Sequence, residues 1–284
     1  MTAYSQGHAP SVLASQQWRT VANSAAYVAD RFTPGTTVLD VGCGTGTITL
    51  DIARRVAPGR VLGVDAEPSV IATARAAAAG VEGVEFVVGD VHDLPAVTGG
   101  ERFDVVHAHQ VLLHLTDPVA ALRAMLAVSR GVVAARDCDY GGIVHHPHDP
   151  RLGRWLEIYH RVARAHGTEP DAGRRLLGWA RAAGARAVTP GASIWCFATD
   201  AERRWWGGQW AERIVDSDRG RAARHRGGVD GLVARSRRVV LDPARRDRRR
   251  LRGMSRPGGA RTRCTGRPPA RRSGRRPGRT TARR

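Results

Sequence analysis

The segment Val38-Leu39-Asp40-Val41-Gly42-Cys43-Gly44-Thr45-Gly46 constrains the fold of this chain more than any other stretch. Three apolar residues around one acid read as a parallel strand covered on both faces, because such strands become nearly continuous apolar runs. The alternate glycines that follow remove each Cβ where main chain must come close to a partner. A nucleotide-like ligand is the first expectation. The G-x-G-x-G spacing departs from the dinucleotide fingerprint, which asks for a third glycine where this chain has Thr47.

The stretches that follow repeat the pattern. Arg60-Val61-Leu62-Gly63-Val64-Asp65 reads as a second strand ending in an acid 19 positions after Gly46, the interval expected of a carboxylate that binds ribose hydroxyls. Between them, Thr47 to Val56 has apolar residues at helical spacing. A third strand over Val84 to Val88 runs into Gly89-Asp90-Val91. A fourth, from Phe103 to Ala108, leads to His109 and Gln110. A helix from Pro118 to Val128 precedes a fifth strand over residues 131–137. Strand and helix alternating from residue 36 to 137 predict an α/β fold, a doubly wound and mostly parallel Rossmann-like sheet with ligands at the carboxyl ends of its strands.

A single acid at a strand end is usually a helix cap or a turn residue. Asp40, Asp65 and Asp90 stand at three successive strand ends, one of them beside the glycine loop, and together they point to a ligand. The loop with Asp40 two residues before its first glycine resembles motif I of the class I S-adenosylmethionine-dependent methyltransferases. Gly89-Asp90-Val91 resembles the motif of that family whose acid binds the adenine amino group. The resemblance implies S-adenosylmethionine as cofactor and no metal. It also implies a cofactor-binding set of Asp40, Gly42, Cys43, Gly44, Gly46, Asp65, Ala66, Gly89, Asp90, Val91, His107 and Gln110.

A closer resemblance, over about residues 1 to 217, is to a bacterial methyltransferase-domain group. It rests on Tyr4-Ser5-Gln6-Gly7-His8, on the stretch from Trp18 to Tyr27, on His107-Ala108-His109-Gln110-Val111-Leu112, and on Asp137-Cys138-Asp139-Tyr140. Two further blocks, Glu169 to Leu177 and Trp195 to Thr199, also carry it. The implied chemistry is an SN2 displacement in which an acceptor atom attacks the sulfonium methyl group. Because the sulfonium is already activated, the protein mainly aligns the partners and excludes water.

The acceptor is expected to be a small organic molecule of quinone-like or secondary-metabolite type. His109, at the tip of the fourth strand, is the candidate general base, with a hydrogen-bonded structural histidine as the plainer reading. Tyr4, Arg19, Asn23, His114 and Tyr140 are the acceptor-side candidates. Trp18, Ala22, Ala25 and Ala26 are expected to form one face of an N-terminal amphipathic helix. Leu152, Trp155, Leu156, Tyr159 and Val162 lie on one face of a helix over Arg151 to His166, as core packing or as a lid over the acceptor. His145-His146-Pro147-His148 reads as a loop, since no carboxylate or cysteine accompanies it. Trp205, Trp206 and Trp210 fit either an aromatic wall or plain packing.

Composition divides the chain. From residue 219 onward there are 24 arginines against three acids, whereas residues 1–218 hold 21 arginines and 23 acids and are near neutral. The net charge of +19 therefore belongs to the tail. The tail has no aromatic residue and is rich in Arg, Gly and Pro, a composition that cannot build a core, so disorder is expected of it. Two readings of it stand: an RNA-binding or membrane-surface arm, since clustered arginine neutralises phosphates, or a frameshifted or mis-assigned terminus; nucleic acid enters as a partner only through this tail. The resemblance adds that relatives continue with a final antiparallel strand that this chain lacks. The domain plan is a helical cap over residues 1–35, a methyltransferase domain over 36–217 with an insertion at about 140–170, and the tail over 218–284. The alternatives are an RNA methyltransferase anchored by the tail and a non-catalytic, cofactor-binding remnant. Four cysteines without C-x-x-C spacing suggest neither zinc site nor disulfide framework. The absence of a signal segment or membrane span predicts a cytoplasmic protein.

Overall fold

The computed structural model describes residue 15 and residues 17–221, with side chains to residue 212. Its strands are β1 (Thr37–Val41), β2 (Arg60–Asp65), β3 (Val84–Val88), β4 (Phe103–His109) and β5 (Ser129–Arg136). Its helices are α1 (Thr47–Val56), α2 (Pro68–Ala77), the single turn α3 (Leu94–Val97), α4 (Pro118–Ala127), α5 (Pro150–Ala165), α6 (Ala172–Ala182) and α7 (Asp200–Arg221). All five strands are parallel, in the order β3-β2-β1-β4-β5. That order reverses between β1 and β4, and the crevice outside their carboxyl ends is where open α/β sheets bind ligands. Val41 pairs with Ala108 in this register, so the glycine turn emerges beside His109.

Strand alternation sorts β1 between two cores. Leu39 and Val41 join Leu62, Val64, Val106, Leu122 and Met125 on one face. Val38 joins Val61, Val105, Ile48, Ile52 and Val56 on the other. Helices cover both faces, which is why β1 and β4 are buried almost throughout and read as unbroken apolar runs.

Three helices start on the same device of an acid followed by proline: Glu67-Pro68, Asp117-Pro118 and Asp149-Pro150. The acid accepts a main-chain N–H two or three residues on, at 3.3 Å from Ser69, 2.8 Å from Ala120 and 2.8 Å from Arg151. The proline sits where its missing N–H has no partner to lose.

The N-terminal segment differs from the expected amphipathic helix. It forms a short π-helix (Val21–Ala25) and a 3₁₀ helix (Ala26–Arg31), opened by a capping box between Thr20 and Asn23. Its buried residues are Val21, Ser24, Ala25 and Val28, whereas Ala22 and Ala26 are exposed. The predicted face is thus correct only at Ala25, because the tighter and wider turns shift which side chains face α1. Among the described residues β3 and β5 are the edges of the sheet, and residues 188–198 carry neither helix nor ladder. The arginine-rich tail lies outside the described residues from residue 222 onward, and residues 218–221 end α7. None of the described helices is long and apolar enough to cross a membrane.

Candidate active site

β1 ends at Val41 and the chain turns through Gly42, Gly44 and Gly46, all at positive φ (65°, 57° and 82°). An L side chain pays roughly 1–2 kcal/mol for that conformation. A Cβ on Gly42 would stand 2.3 Å from Val111 Cγ2, and one on Gly46 2.8 Å from the Phe86 ring. Bare main chain is therefore required by shape as well as by torsion. Gly42 N and Cys43 N donate to Val64 O at 2.7 and 3.0 Å, which ties the turn to β2.

Asp65 closes the turn from the neighbouring strand. Its Oδ2 accepts from Gly44 N at 3.0 Å and its Oδ1 from Glu67 N at 3.1 Å, with exposed Ala66 beside it. The buried Thr45 hydroxyl has no hydrogen-bond partner among the described residues. A buried polar atom left this way costs about 1–3 kcal/mol, and a polar ligand in the turn would recover it. That orphaned hydroxyl, the bare turn and the adjacent carboxylate form a donor and acceptor set that fits a nucleoside-bearing cofactor.

Asp40 lies beneath the turn, 3 % exposed. Its Oδ2 accepts from Thr49 Oγ1 at 2.6 Å and its Oδ1 lies 2.7 Å from His107 Nδ1, so both oxygens are occupied within the protein. Asp40 braces the start of α1 against β4. Cys43 is buried, and burial, followed by the charges of Asp40 and Asp65, holds its thiol well above the usual value. Gly89 N donates to Asp65 O at 3.0 Å. Asp90 caps the turn after β3, its Oδ1 accepting from His92 N at 2.9 Å, and this main-chain bond leads the causes that lower its carboxyl. The Val91 side chain sits in the core.

The carboxyl ends of β4 and β5 hold a second group. His109 is 5 % exposed, and neither of its ring nitrogens has a hydrogen-bond partner among the described residues. Burial, then the charges of Arg19, His107 and Arg136, hold it well below the usual histidine value, so the imidazole is neutral. Gln110 follows in the left-handed region at φ 55°, a strained position for a side-chain-bearing residue. Its side chain accepts from Arg19 and donates to Cys138 Sγ at 2.7 Å. Its main-chain N donates to Arg136 O at 2.8 Å. The Arg136 guanidinium lies 4.4 Å over the Trp195 ring, whose centroid is 5.7 Å from that of His109.

Asp137 Oδ2 accepts from Leu112 N and Leu113 N at 2.9 and 3.3 Å, while its Oδ1 is buried without a partner among the described residues. Burial pushes its carboxyl up to about 7. His114, half-buried, is held down to about 3 by burial and then by Arg19.

The acceptor-side candidates separate. Arg19 and His114 fall in the same electrostatic neighbourhood as His109. Asn23 spends its side chain on the N-terminal cap: Oδ1 accepts from Thr20 N, and Nδ2 donates to Trp18 O. Tyr140 is 8 % exposed and packs on Tyr159 and Trp210, with ring centroids at 4.3 and 5.8 Å. Tyr4 lies outside the described residues. Helix α5 turns Trp155 and Tyr159 onto Trp210, and Trp205 joins Phe197 and Trp18, so the tryptophans of α7 are packed in ring contacts. The rings of His145 and His148 stack in the loop before α5.

Arg136, Asp137, Thr45 and Trp195 are the residues that reading for a site overlooked. The rule that flagged Asp65, an acid at a strand's carboxyl end, applies equally to Asp137. Nothing in the sequence flags the other three, since what marks them is a missing or unexpected neighbour.

A family profile described as "Methyltransferase domain" matches residues 32–178. An uncharacterized methyltransferase of Schizosaccharomyces pombe is 32 % identical over 227 residues, covering 76 % of this chain and 81 % of its own. A ubiquinone biosynthesis O-methyltransferase of Xanthomonas axonopodis pv. citri is 40 % identical over 101 residues, covering 34 % of this chain and 41 % of its own. The solved structure of the [4+2]-cyclase SpnF is 26 % identical over 74 % of each chain, with a TM-score of 0.44, too slight a likeness to bear on the fold. The glycine turn at the switch point of a parallel sheet and the profile spanning it lead to one statement: this chain belongs to the methyltransferase-domain family, of the class I S-adenosylmethionine-dependent type.

Proposed function

We propose that this protein transfers a methyl group from S-adenosylmethionine to a hydroxyl of a small organic acceptor. The observation that carries the reading is the Gly42–Gly46 turn, tied through Gly44 N to Asp65 and holding a buried, unpartnered Thr45 hydroxyl at the carboxyl end of β1. When bound, the cofactor supplies an activated methyl group on sulfur. The chain's own residues do the rest. Gly42, Cys43, Gly44 and Gly46 offer main chain without side chains in the way, Asp65 with Ala66 beside it receives the ribose hydroxyls, and Gly89, Asp90 and Val91 line the base end. Asp40 and His107 hold the turn against β4, and Gln110 fixes the rim.

His109 faces the acceptor in this reading. A neutral buried imidazole with two unpartnered nitrogens lacks a partner that a ligand hydroxyl can supply. Arg19 and His114 stand beside it, and Tyr140 stiffens the loop after β5. The ubiquinone-related O-methyltransferase among the relatives supports a hydroxyl on a quinone-like ring as acceptor. Incubation of the protein with methyl-labelled S-adenosylmethionine and a panel of phenols and hydroquinones tests this. Label is expected on a phenolic oxygen, with the rate falling at least about tenfold in His109→Ala. An unchanged rate in that variant removes His109 from the mechanism, and no labelled product from any phenol removes the acceptor class.

A further inference from the structure

Among the described arginines, Arg19 and Arg136 are half-buried and the others are exposed. The exposed guanidiniums of Arg130, Arg151, Arg154 and Arg174 each have a carboxylate partner. The half-buried Arg19 and Arg136 have none within 4 Å among the described residues, although desolvated charges are the ones that need partners most. Arg19 spends a donor on the Gln110 amide, and Arg136 spends Nε on Ser193 Oγ at 3.0 Å and its face on Trp195. Neither contact carries negative charge.

The two side chains are held at one place. Arg19 is tied to Gln110, the main chain of Gln110 is tied to Arg136, and Arg136 pairs in register with His109. Both cations act on the same buried imidazole. Asp137, the acid next in the chain, gives Oδ2 to the main-chain N–H groups of Leu112 and Leu113 and forms no ion pair with either guanidinium within 4 Å, although its charge reaches both.

We propose that Arg19 and Arg136 form an anion subsite at the carboxyl ends of β4 and β5, and that the methyl acceptor is a small carboxylic acid whose carboxylate is held there. The inference rests on the methyl-transfer reading above and names the acceptor's charge. The planar fork of a guanidinium matches a carboxylate, and a bidentate pair orients its ligand as well as attracting it. An anion there also offsets the positive charges around His109, so the imidazole can take up a hydroxyl proton at lower cost once the acid is bound.

Calorimetric titration of the full chain, with and without saturating S-adenosylhomocysteine, tests this with 4-hydroxybenzoate against 4-hydroxybenzamide, a neutral probe of the same size. The acid is expected to bind at least about tenfold more tightly than the amide. That preference should shrink to within about twofold in Arg19→Gln and in Arg136→Gln, and persist in Arg19→Lys and Arg136→Lys, which keep the charge. Equal affinity for the two probes, no binding of either at about 10 mM, or a preference that survives in both Gln variants overturns the subsite. Failure of S-adenosylhomocysteine to bind the unmodified protein is a separate result. It removes the methyl-transfer reading, while the ratio of acid to amide still decides whether the anion subsite exists.

Discussion

Asp137 shows how one side chain can tie stability to pH here. Its carboxyl titrates at about 7 because burial outweighs the main-chain N–H bonds that pull it down. An unfolded aspartate titrates near 3.9, so between roughly pH 4 and 7 the folded state holds a proton that the unfolded state has lost. Stability contributed by the protonated form is therefore full at the acid end of that window, falls as pH rises through it, and levels off above. Three pKa units correspond to on the order of 4 kcal/mol. Asp137→Asn removes the titration and retains an acceptor for one of the two N–H groups. Its melting temperature should change less than that of the unmodified protein between pH 5 and 8, and parallel slopes in the two would exclude Asp137 as the titrating group. Asp65 and the glycines could be read from the chain because a strand end and a turn impose residue types. Thr45 and Arg136 could not, because their meaning lies in partners they lack in three dimensions. Asn23 misled for the reverse reason: a polar side chain beside the crevice is spent on a local cap.

The elements of the sheet were legible for a simple reason. Strands buried on both faces are short apolar runs, and the acid-proline pairs mark where three helices begin. The N-terminal segment resisted the same treatment, because alanines fit either face and the backbone passes from a π-helix to a 3₁₀ helix, so a 3.6-residue period goes out of phase. That difference is measurable. Ala25 is 0 % exposed against the core formed by Val21, Val28, Phe32, Ile48 and Ile52, while Ala22 is exposed. Ala25→Glu should destabilise the protein by at least about 3 kcal/mol, since it buries an unpaired charge. Ala22→Glu should remain within about 0.5 kcal/mol. Denaturant unfolding of the pair decides, and the opposite order would restore the simple amphipathic helix. The tryptophans of α7 were visible as a cluster, but their ring contacts with Trp155 and Trp18 join residues far apart in the chain.

At the scale of the whole molecule, five parallel strands with a reversal between β1 and β4 bring three otherwise separate features to one crevice. These are the side-chain-free turn, the Asp65 carboxylate, and the His109 imidazole, which feels the charges of Arg19 and Arg136. The first two belong to the cofactor in this account and the third to the acceptor, so the division of labour follows the order of the strands. The balance of charge also has a simple geography: residues 1–218 are near neutral, and the excess of arginine lies beyond them. The most direct test is calorimetric titration of the full chain with S-adenosylmethionine and, separately, with NAD, repeated on Asp65→Ala. Binding of S-adenosylmethionine is expected, with none of NAD and a loss of at least about tenfold in affinity when the carboxylate is removed. Tight binding of NAD, or affinity for S-adenosylmethionine untouched by Asp65→Ala, would contradict the cofactor assignment.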